Sequence, residues 1–275
     1  MRLRTLLVGS VATAASLTGT ALVASPASAA PAFAPAATAT VKPGVQTYTQ
    51  GAQCTANFVF SDGTRVFIGQ AAHCSGTGAA TDTNGCDAGS LPLGTPVEVT
   101  GASKPGKLVY SSWLAMQANN ETNGEACDYN DFALVELDPA DVSRTNPSVP
   151  FFGGPTALGA GTSFGDSVYS YGNSSLRFGI TQTSPKRGTS LGDTPEGWST
   201  TVYTVTPGIP GDSGSGFLDA SGRAFGTLST VALAPFAGSN GVSNLAKELA
   251  YAQANGFAGV TLVRGDVPFS GSRLV

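Results

Sequence analysis

Short apolar runs, each closed by a turn residue, limit what this chain can become. In the first half they are Thr55 to Phe60, Arg65 to Ile68, Pro96 to Thr100, Lys107 to Tyr110 and Phe132 to Leu137, with Ser61-Asp62-Gly63 as the turn between the first two. In the second half they are Ser167 to Tyr171, Ile180 to Thr183, Thr200 to Val205, Gly214 to Leu218 and Ala224 to Ser229. Gly, Thr, Ser and Ala abound, and the Lys, Glu and Leu runs that favour helix are few. The expected class is all-β, with short strands joined by tight turns. One segment departs: Asn244 to Asn255 repeats Leu245, Leu249 and Ala250 at helical spacing, with Ser243 placed to cap it and Gly256 past its end. Between the halves, Asp138 to Gly161 holds Pro139, Pro147, Pro150 and Pro155 and reads as a linker, dividing 41–150 from 151–275.

The N-terminus carries its own message. Arg2 and Arg4 precede an apolar stretch from Leu6 to about Val23, which ends at Ala27-Ser28-Ala29, the pattern of a secretory signal peptide over 1–29. Glycines, serines and threonines dilute that stretch below what a stable membrane span needs. Residues 30–40 are mostly Ala, Pro and Thr and read as a disordered leader or short propeptide that carries no core. The expectation is a secreted, extracellular protein with no membrane contact. Losing Arg2 and Arg4 takes the formal net charge from −4 to about −6, which makes nucleic acid and anionic membranes poor partners. Cys54, Cys74, Cys86 and Cys127 are an even set in an exported chain, which favours two disulfides. Cys54 and Cys74 bracket one hairpin, leaving Cys86 for Cys127. No spacing has the paired C-x2-C form, so no metal is expected.

Three motifs carry chemistry. In Gly211-Asp212-Ser213-Gly214-Ser215-Gly216, glycines on both sides of a serine let the backbone turn tightly and present the hydroxyl with neighbouring N–H groups; an ordinary Gly/Ser turn is the alternative. Ala71-Ala72-His73-Cys74 contains the only histidine of the 275 residues, beside a cysteine that can hold it in place. In Asn130-Asp131-Phe132-Ala133-Leu134-Val135, an aspartate opens an apolar strand, where it serves either as a turn residue or as the acceptor that fixes a histidine tautomer. Asp128 competes with Asp131 but lacks the apolar strand directly behind it.

The order His73, Asp131, Ser213, about 58 and 82 residues apart, resembles that of the chymotrypsin-like serine peptidases, and more specifically their secreted bacterial subgroup. In that family the His follows an Ala-Ala pair and precedes Cys, the Asp begins a D-[IF]-A-L strand, and the Ser lies in Gly-Asp-Ser-Gly. The resemblance implies two six-stranded antiparallel β-barrels with a terminal helix and a triad in the cleft between them. It also implies a Ser213 nucleophile, a His73 base, an orienting Asp131, and the N–H groups of Gly211 and Ser213 as oxyanion donors. The expected partners are protein or peptide substrates, cleaved by a monomer through an acyl-enzyme without a cofactor.

Departures from the family pattern shape further expectations. No [RK]-[IV]-[IV]-G-G activation sequence precedes the first barrel, so Asp212 needs an internal cation. Arg177 is the candidate, unless it is a solvated surface arginine. The position six residues before the nucleophile, an Asp in relatives that cut after Lys or Arg, is Pro207 here. The pocket wall aligns with Ser229, Thr230 and Val231, with Thr227-Leu228-Ser229 as the other register, and Val231 in place of Gly points to small or medium apolar side chains at the cleaved position. Asp82, Asn84 and Asp87 read as an exposed turn rather than a calcium loop, and Asn120 and Asn173 need not be glycosylated. A catalytically silent double barrel acting as a binding module is the alternative function. A nucleophile-elbow hydrolase fits less well, because Ser215 stands where G-x-S-x-G needs its last glycine.

Overall fold

The computed structural model describes residues 31–79, 82–232 and 238–273, so the signal-peptide reading of 1–29 lies outside the described residues. The first half supplies β1 (Gln46–Thr49), β2 (Ala52–Thr55), β3 (Val59–Ser61), β4 (Val66–Gln70), β5 (Pro96–Val99), β6 (Gly106–Ser111) and β7 (Ala133–Glu136), with helices α1 (Ser112–Asn119), α2 (Gly124–Tyr129) and α3 (Pro139–Val142). The second half supplies β8 (Ser167–Tyr171), β9 (Pro185–Asp193), β10 (Ser199–Thr204), β11 (Gly216–Leu218), β12 (Ala224–Ala232), β13 (Ser239–Asn244), helix α4 (Leu245–Ala252) and a short strand β14 (Thr261–Leu262). Strands β8 to β13 close into an antiparallel barrel in the order β10-β13-β12-β11-β8-β9. The other eight form an antiparallel sheet, β14-β3-β4-β7-β6-β5-β1-β2, which β14 joins from the far end of the chain by pairing Thr261 with Ser61. Among the described residues no helix is long and apolar enough to cross a membrane.

The all-β class is as the turn-bounded runs imply, and the differences have local causes. Hairpin β1–β2 turns on Gln50 and Gly51, both at positive φ (47° and 89°), the geometry of a two-residue hairpin turn in which Gln disguises the usual Asn-Gly signal. The run from Thr55 to Phe60 is not one strand, because Ala56 bonds back to Val45 and Asn57 to Gly69 before β3 begins. Ile180 to Thr183 is not a strand either. Thr181–Thr183 is a 3-10 turn, and pairing with β8 and β10 instead recruits Lys186, Arg187 and Gly188, residues of weak strand preference. Helix α4 is capped by Asn244, whose side chain accepts from the N–H groups of Ala246 and Lys247, while Ser243 remains paired in β13. Residues 31–40 do carry packing: Ala34 donates to Thr145 O, Thr40 to Arg144 O, and Phe33 lies against the first core.

One apolar cluster spans the molecule. Phe58, Phe60, Phe67 and Phe132 from the first half meet Val149 and Phe152 of the linker, Tyr169 and Leu218 of the barrel, and Leu245, Leu249 and Ala252 of α4. Each buried aromatic contributes about 1.5–3 kcal/mol relative to exposure, so this shared cluster fixes one half against the other. Phe132, stacked edge-on against Phe60 with centroids 5.3 Å apart, also anchors the chain directly after Asp131.

Candidate active site

Strand register brings His73 to Asp131. In β4 and β7, Gln70 pairs with Ala133, so the chain leaving β4 lies beside the chain entering β7. His73 sits in the 3-10 turn Ala72–Ser75, three residues past that pair, and Asp131 lies two residues before it. His73 Nδ1 is 2.6 Å from Asp131 Oδ2, and the His73 backbone N–H donates to Oδ1 at 2.8 Å. Ser229 Oγ donates to the same Oδ2 at 2.6 Å. Asp131 is buried, whereas the His73 side chain is 25% exposed. The two thus have opposite environments, with the acid inside and the imidazole at the surface of a cleft. Asp128 does not compete, since its carboxylate takes Asn84 Nδ2 at 3.2 Å.

Charge states follow from these contacts. Burial works against an imidazolium at His73, but the adjacent Asp131 carboxylate and its hydrogen bond outweigh it and raise the pKa above the ordinary histidine value. Burial likewise opposes ionisation of Asp131, yet His73, Ser229 and the His73 N–H hold its carboxyl below the usual range.

Disulfides brace this corner. Cys54–Cys74 closes a separation of 20 residues and Cys86–Cys127 one of 41, the pairings expected from the sequence. The two sulfurs of the first and a ring nitrogen of His73 lie within 4.8 Å of one another. The second bridge anchors α2, whose last turn passes Ala126 O to Asn130 N immediately before Asp131. Both sulfurs beside His73 are consumed in the bridge and so are not free as metal ligands.

Ser213 arrives from the other half on the loop between β10 and β11. Its carbonyl accepts from Thr55 N at 2.8 Å, and Gly214 packs so closely on the first half that a Cβ there would lie 2.7 Å from Thr55 O and 2.9 Å from Ala71 N. Gly214 also has φ of +85°, so glycine is required twice over. Gly211, at φ +95°, has its carbonyl tied by Thr55 Oγ1 (2.7 Å) and Gln53 Nε2 (2.9 Å). Among the described residues no acceptor takes the N–H of Gly211 or of Ser213, while the N–H of Asp212 between them is spent on Ile209 O. A loop held this way offers two free donors on either side of one consumed donor.

Beneath the loop lies a buried charge cluster. Asp212 is fully buried and accepts from Arg177 Nη2, Arg177 Nε (3.4 Å), Lys186 Nζ (2.9 Å) and the N–H groups of Ser174 (3.0 Å) and Ile209 (3.2 Å). Arg177 is therefore the internal cation anticipated for Asp212. Lys186, with no accessible surface, is a second one that the sequence reading missed. Its ammonium also donates to Pro207 O at 3.0 Å and Thr206 O at 3.4 Å. Burial pushes Asp212 up, but the two cations prevail and its carboxyl stays below the usual range. Burial pulls the Lys186 pKa down, with Asp212 opposing and Arg177 assisting.

A cavity of about 650 Å³ opens between the halves, lined by His73 and Cys54 on one side and by Ser213, Gly211, Ile209 and Leu228 on the other. Ser229 and Thr230 also line it; Pro207 is not among the described lining residues, its carbonyl turned to Lys186. The Val231 side chain lies outside the described residues. Asp82 also lines the cavity, and Asn84 Oδ1 accepts from the Cys86 N–H.

No family model matches this sequence, and no curated protein matches it. Solved structures do. Thermobifida fusca Protease A superposes with a TM-score of 0.50 at 19% identity, covering 82% of this chain and 99% of that one. A glutamic acid specific serine protease, described as using a histidine triad in substrate binding, superposes with a TM-score of 0.51 at 19% identity over 81% of this chain and all of its own. With a closed six-stranded barrel, a second antiparallel sheet and a C-terminal helix, this chain has the fold of the bacterial chymotrypsin-like serine proteases.

Proposed function

We propose that this protein is a secreted serine endopeptidase that hydrolyses peptide bonds through Ser213, His73 and Asp131. The observation that carries the reading is the Asp131 carboxylate held by His73 Nδ1, His73 N and Ser229 Oγ, with His73 and Ser213 facing the same cavity. Nδ1–H bonded to Asp131 leaves Nε2 as the imidazole's free base. In the reaction, Nε2 takes the Ser213 hydroxyl proton as Oγ attacks the peptide carbonyl, and returns it to the leaving amine. Water then enters, activated by the same nitrogen, and releases the acyl group. The free N–H groups of Gly211 and Ser213 serve as donors to the oxyanion of each tetrahedral intermediate. A silent binding module has no use for this arrangement of acid, base and hydroxyl.

For the residue on the acyl side of the cut we propose a small or medium apolar side chain. Ile209 and Leu228 line the cavity beside Ser229 and Thr230, and Pro207, six residues before Ser213, supplies no carboxylate. A lysine or arginine side chain seated against Ile209, Leu228, Ser229 and Thr230 would meet no carboxylate among them, Asp82 being the acidic residue that lines the cavity elsewhere, and an unpaired buried charge costs several kcal/mol. The glutamate-specific relative's histidine triad has no counterpart either, because His73 is the only histidine. Export fits the two disulfides and the leader at 1–29. Digestion of a mixed peptide library tests the reading: cleavage after Ala, Val or Leu, graded by roughly 1–3 kcal/mol per methylene or two, is expected. No cleavage distinguishable from Ser213→Ala overturns the activity, and dominant cleavage after Lys, Arg or Glu overturns the pocket assignment.

A further inference from the structure

We propose that Glu248 is a positioning residue of the catalytic centre, a neutral carboxylic acid that holds the backbone of Asp131 from behind. This deepens the triad reading and rests on it. Leu245, Leu249 and Ala252 bury one face of α4, and Glu248 falls on that same face with no accessible surface. Its Oε1 accepts the Asp131 backbone N–H at 3.2 Å, and its Oε2 meets Thr227 Oγ1 at 3.1 Å. Thr227 is two residues from Ser229 on β12, so one strand supplies hydroxyls to both carboxyl groups. The carboxylate of Asp131 is fixed by His73 and Ser229; among the described residues its N–H is fixed by Glu248 alone.

The surroundings decide the charge. Strands β12 and β13 and helix α1, which pack against α4, contain no Lys, Arg or His. Lys247, on α4 itself, turns to the Trp198 ring, its Nζ 5.1 Å from the centroid. The titratable neighbours are Asp131 and, from β6, Tyr110, with His73 beyond Asp131. An ionised Glu248 would be a second buried anion sharing one imidazole, which desolvation and like-charge repulsion both disfavour. Burial first, and Asp131 second, push its carboxyl well above the usual range. A neutral acid still accepts the Asp131 N–H, and its own O–H can donate to the Thr227 hydroxyl. It therefore places Asp131 without adding charge to the His73 pair.

Because His73 is the only histidine, its imidazole signals in an NMR titration are unambiguous and need no substrate. Glu248→Leu, which keeps bulk but offers no acceptor, is expected to weaken the downfield Nδ1–H signal and to lower kcat at least tenfold with KM little changed. Glu248→Gln, isosteric with the neutral acid, is expected to restore the wild-type His73 titration and the lost kcat. A fall in the His73 pKa on the order of one pH unit in Glu248→Gln would show that an anion had been removed and would overturn the proposal. An unaltered His73 signal and kcat in Glu248→Leu would overturn it too. Should the Leu variant not fold, stability decides. A carboxyl with a raised folded pKa costs stability progressively as pH climbs above its unfolded value, so Glu248→Gln should gain on wild type from about pH 5 upward. A Gln variant less stable than wild type at neutral pH is the contrary result. If wild type hydrolyses nothing, the titration and stability arms still decide this proposal separately from the protease reading.

Discussion

Asp212 and Lys186 sit in the same buried cluster, yet their replacement should have very different consequences. Asp212→Asn removes the one anion and leaves Arg177 and Lys186, 7% and 0% exposed, as two cations facing an amide. Breaking a buried pair in this way costs about 3–5 kcal/mol. Lys186→Met keeps the Asp212–Arg177 pair one to one. It also orphans nothing: Thr206 O retains Thr204 Oγ1 at 2.9 Å, Pro207 O retains Arg177 Nη2 at 3.5 Å, and Asp212 retains Arg177 and two backbone donors. The expected cost is that of a hydrogen bond to a charged group, about 1.5–3 kcal/mol, reduced by relief of the cost of burying the Lys186 ammonium. Equilibrium urea unfolding at pH 7 measures both, and Asp212→Asn should be the more destabilising. Since Asp212 has a depressed folded pKa, its contribution is complete above the unfolded value near 4 and fades as pH falls through the folded value, so the penalty of Asp212→Asn should shrink in acid. The folded fraction of Asp212→Asn should also lose on the order of 10² in kcat, because Gly211 and Ser213 flank the substituted residue. Equal penalties for the two variants, or an Asp212→Asn penalty under about 1 kcal/mol, would refute the assignment of Asp212 as the hub.

Two further outcomes follow from the His73 corner. Replacing Cys54 and Cys74 by Ala should cost about 3 kcal/mol and lower kcat in the protein that remains folded, because the bridge packs on the imidazole; unchanged kcat would make the bridge purely structural. Activity should rise with pH through a midpoint above the ordinary imidazole value of about 6.5, since Asp131 favours the imidazolium and only the neutral ring accepts a proton. A flat rate from about pH 6 to pH 8 would exclude a histidine base.

Much of the candidate site was readable because the proposed chemistry demands particular residues in particular settings. A single histidine beside a cysteine, an aspartate opening an apolar strand and a serine between glycines leave little freedom, and register then joins the first two. Arg177 was visible as a cation near a conspicuous asparagine and serine turn. Lys186 was not, because a Pro-Lys-Arg-Gly sequence reads as a solvated turn unless barrel closure is known to bury its first cation. Glu248 could have been found: it stands three residues after Leu245 and one before Leu249, on the face whose spacing marks the helix as amphipathic. Strand β1 was hidden by Gln50, a residue seldom placed at positive φ, and β14 by its short length and its partner some 200 residues away. Short helix α2 was hidden by its Gly124 and Cys127, and its role in carrying the chain into Asp131 is tertiary.

Fluorophosphonate labelling with mass mapping tests the nucleophile most directly, because the reagent forms a phosphorus–oxygen bond with an activated serine and expels fluoride. A single adduct on Ser213 is expected in wild type, absent in Ser213→Ala and slowed by on the order of 10⁴ in His73→Ala. An unlabelled wild type, or a label that persists at another serine in Ser213→Ala, would contradict the triad.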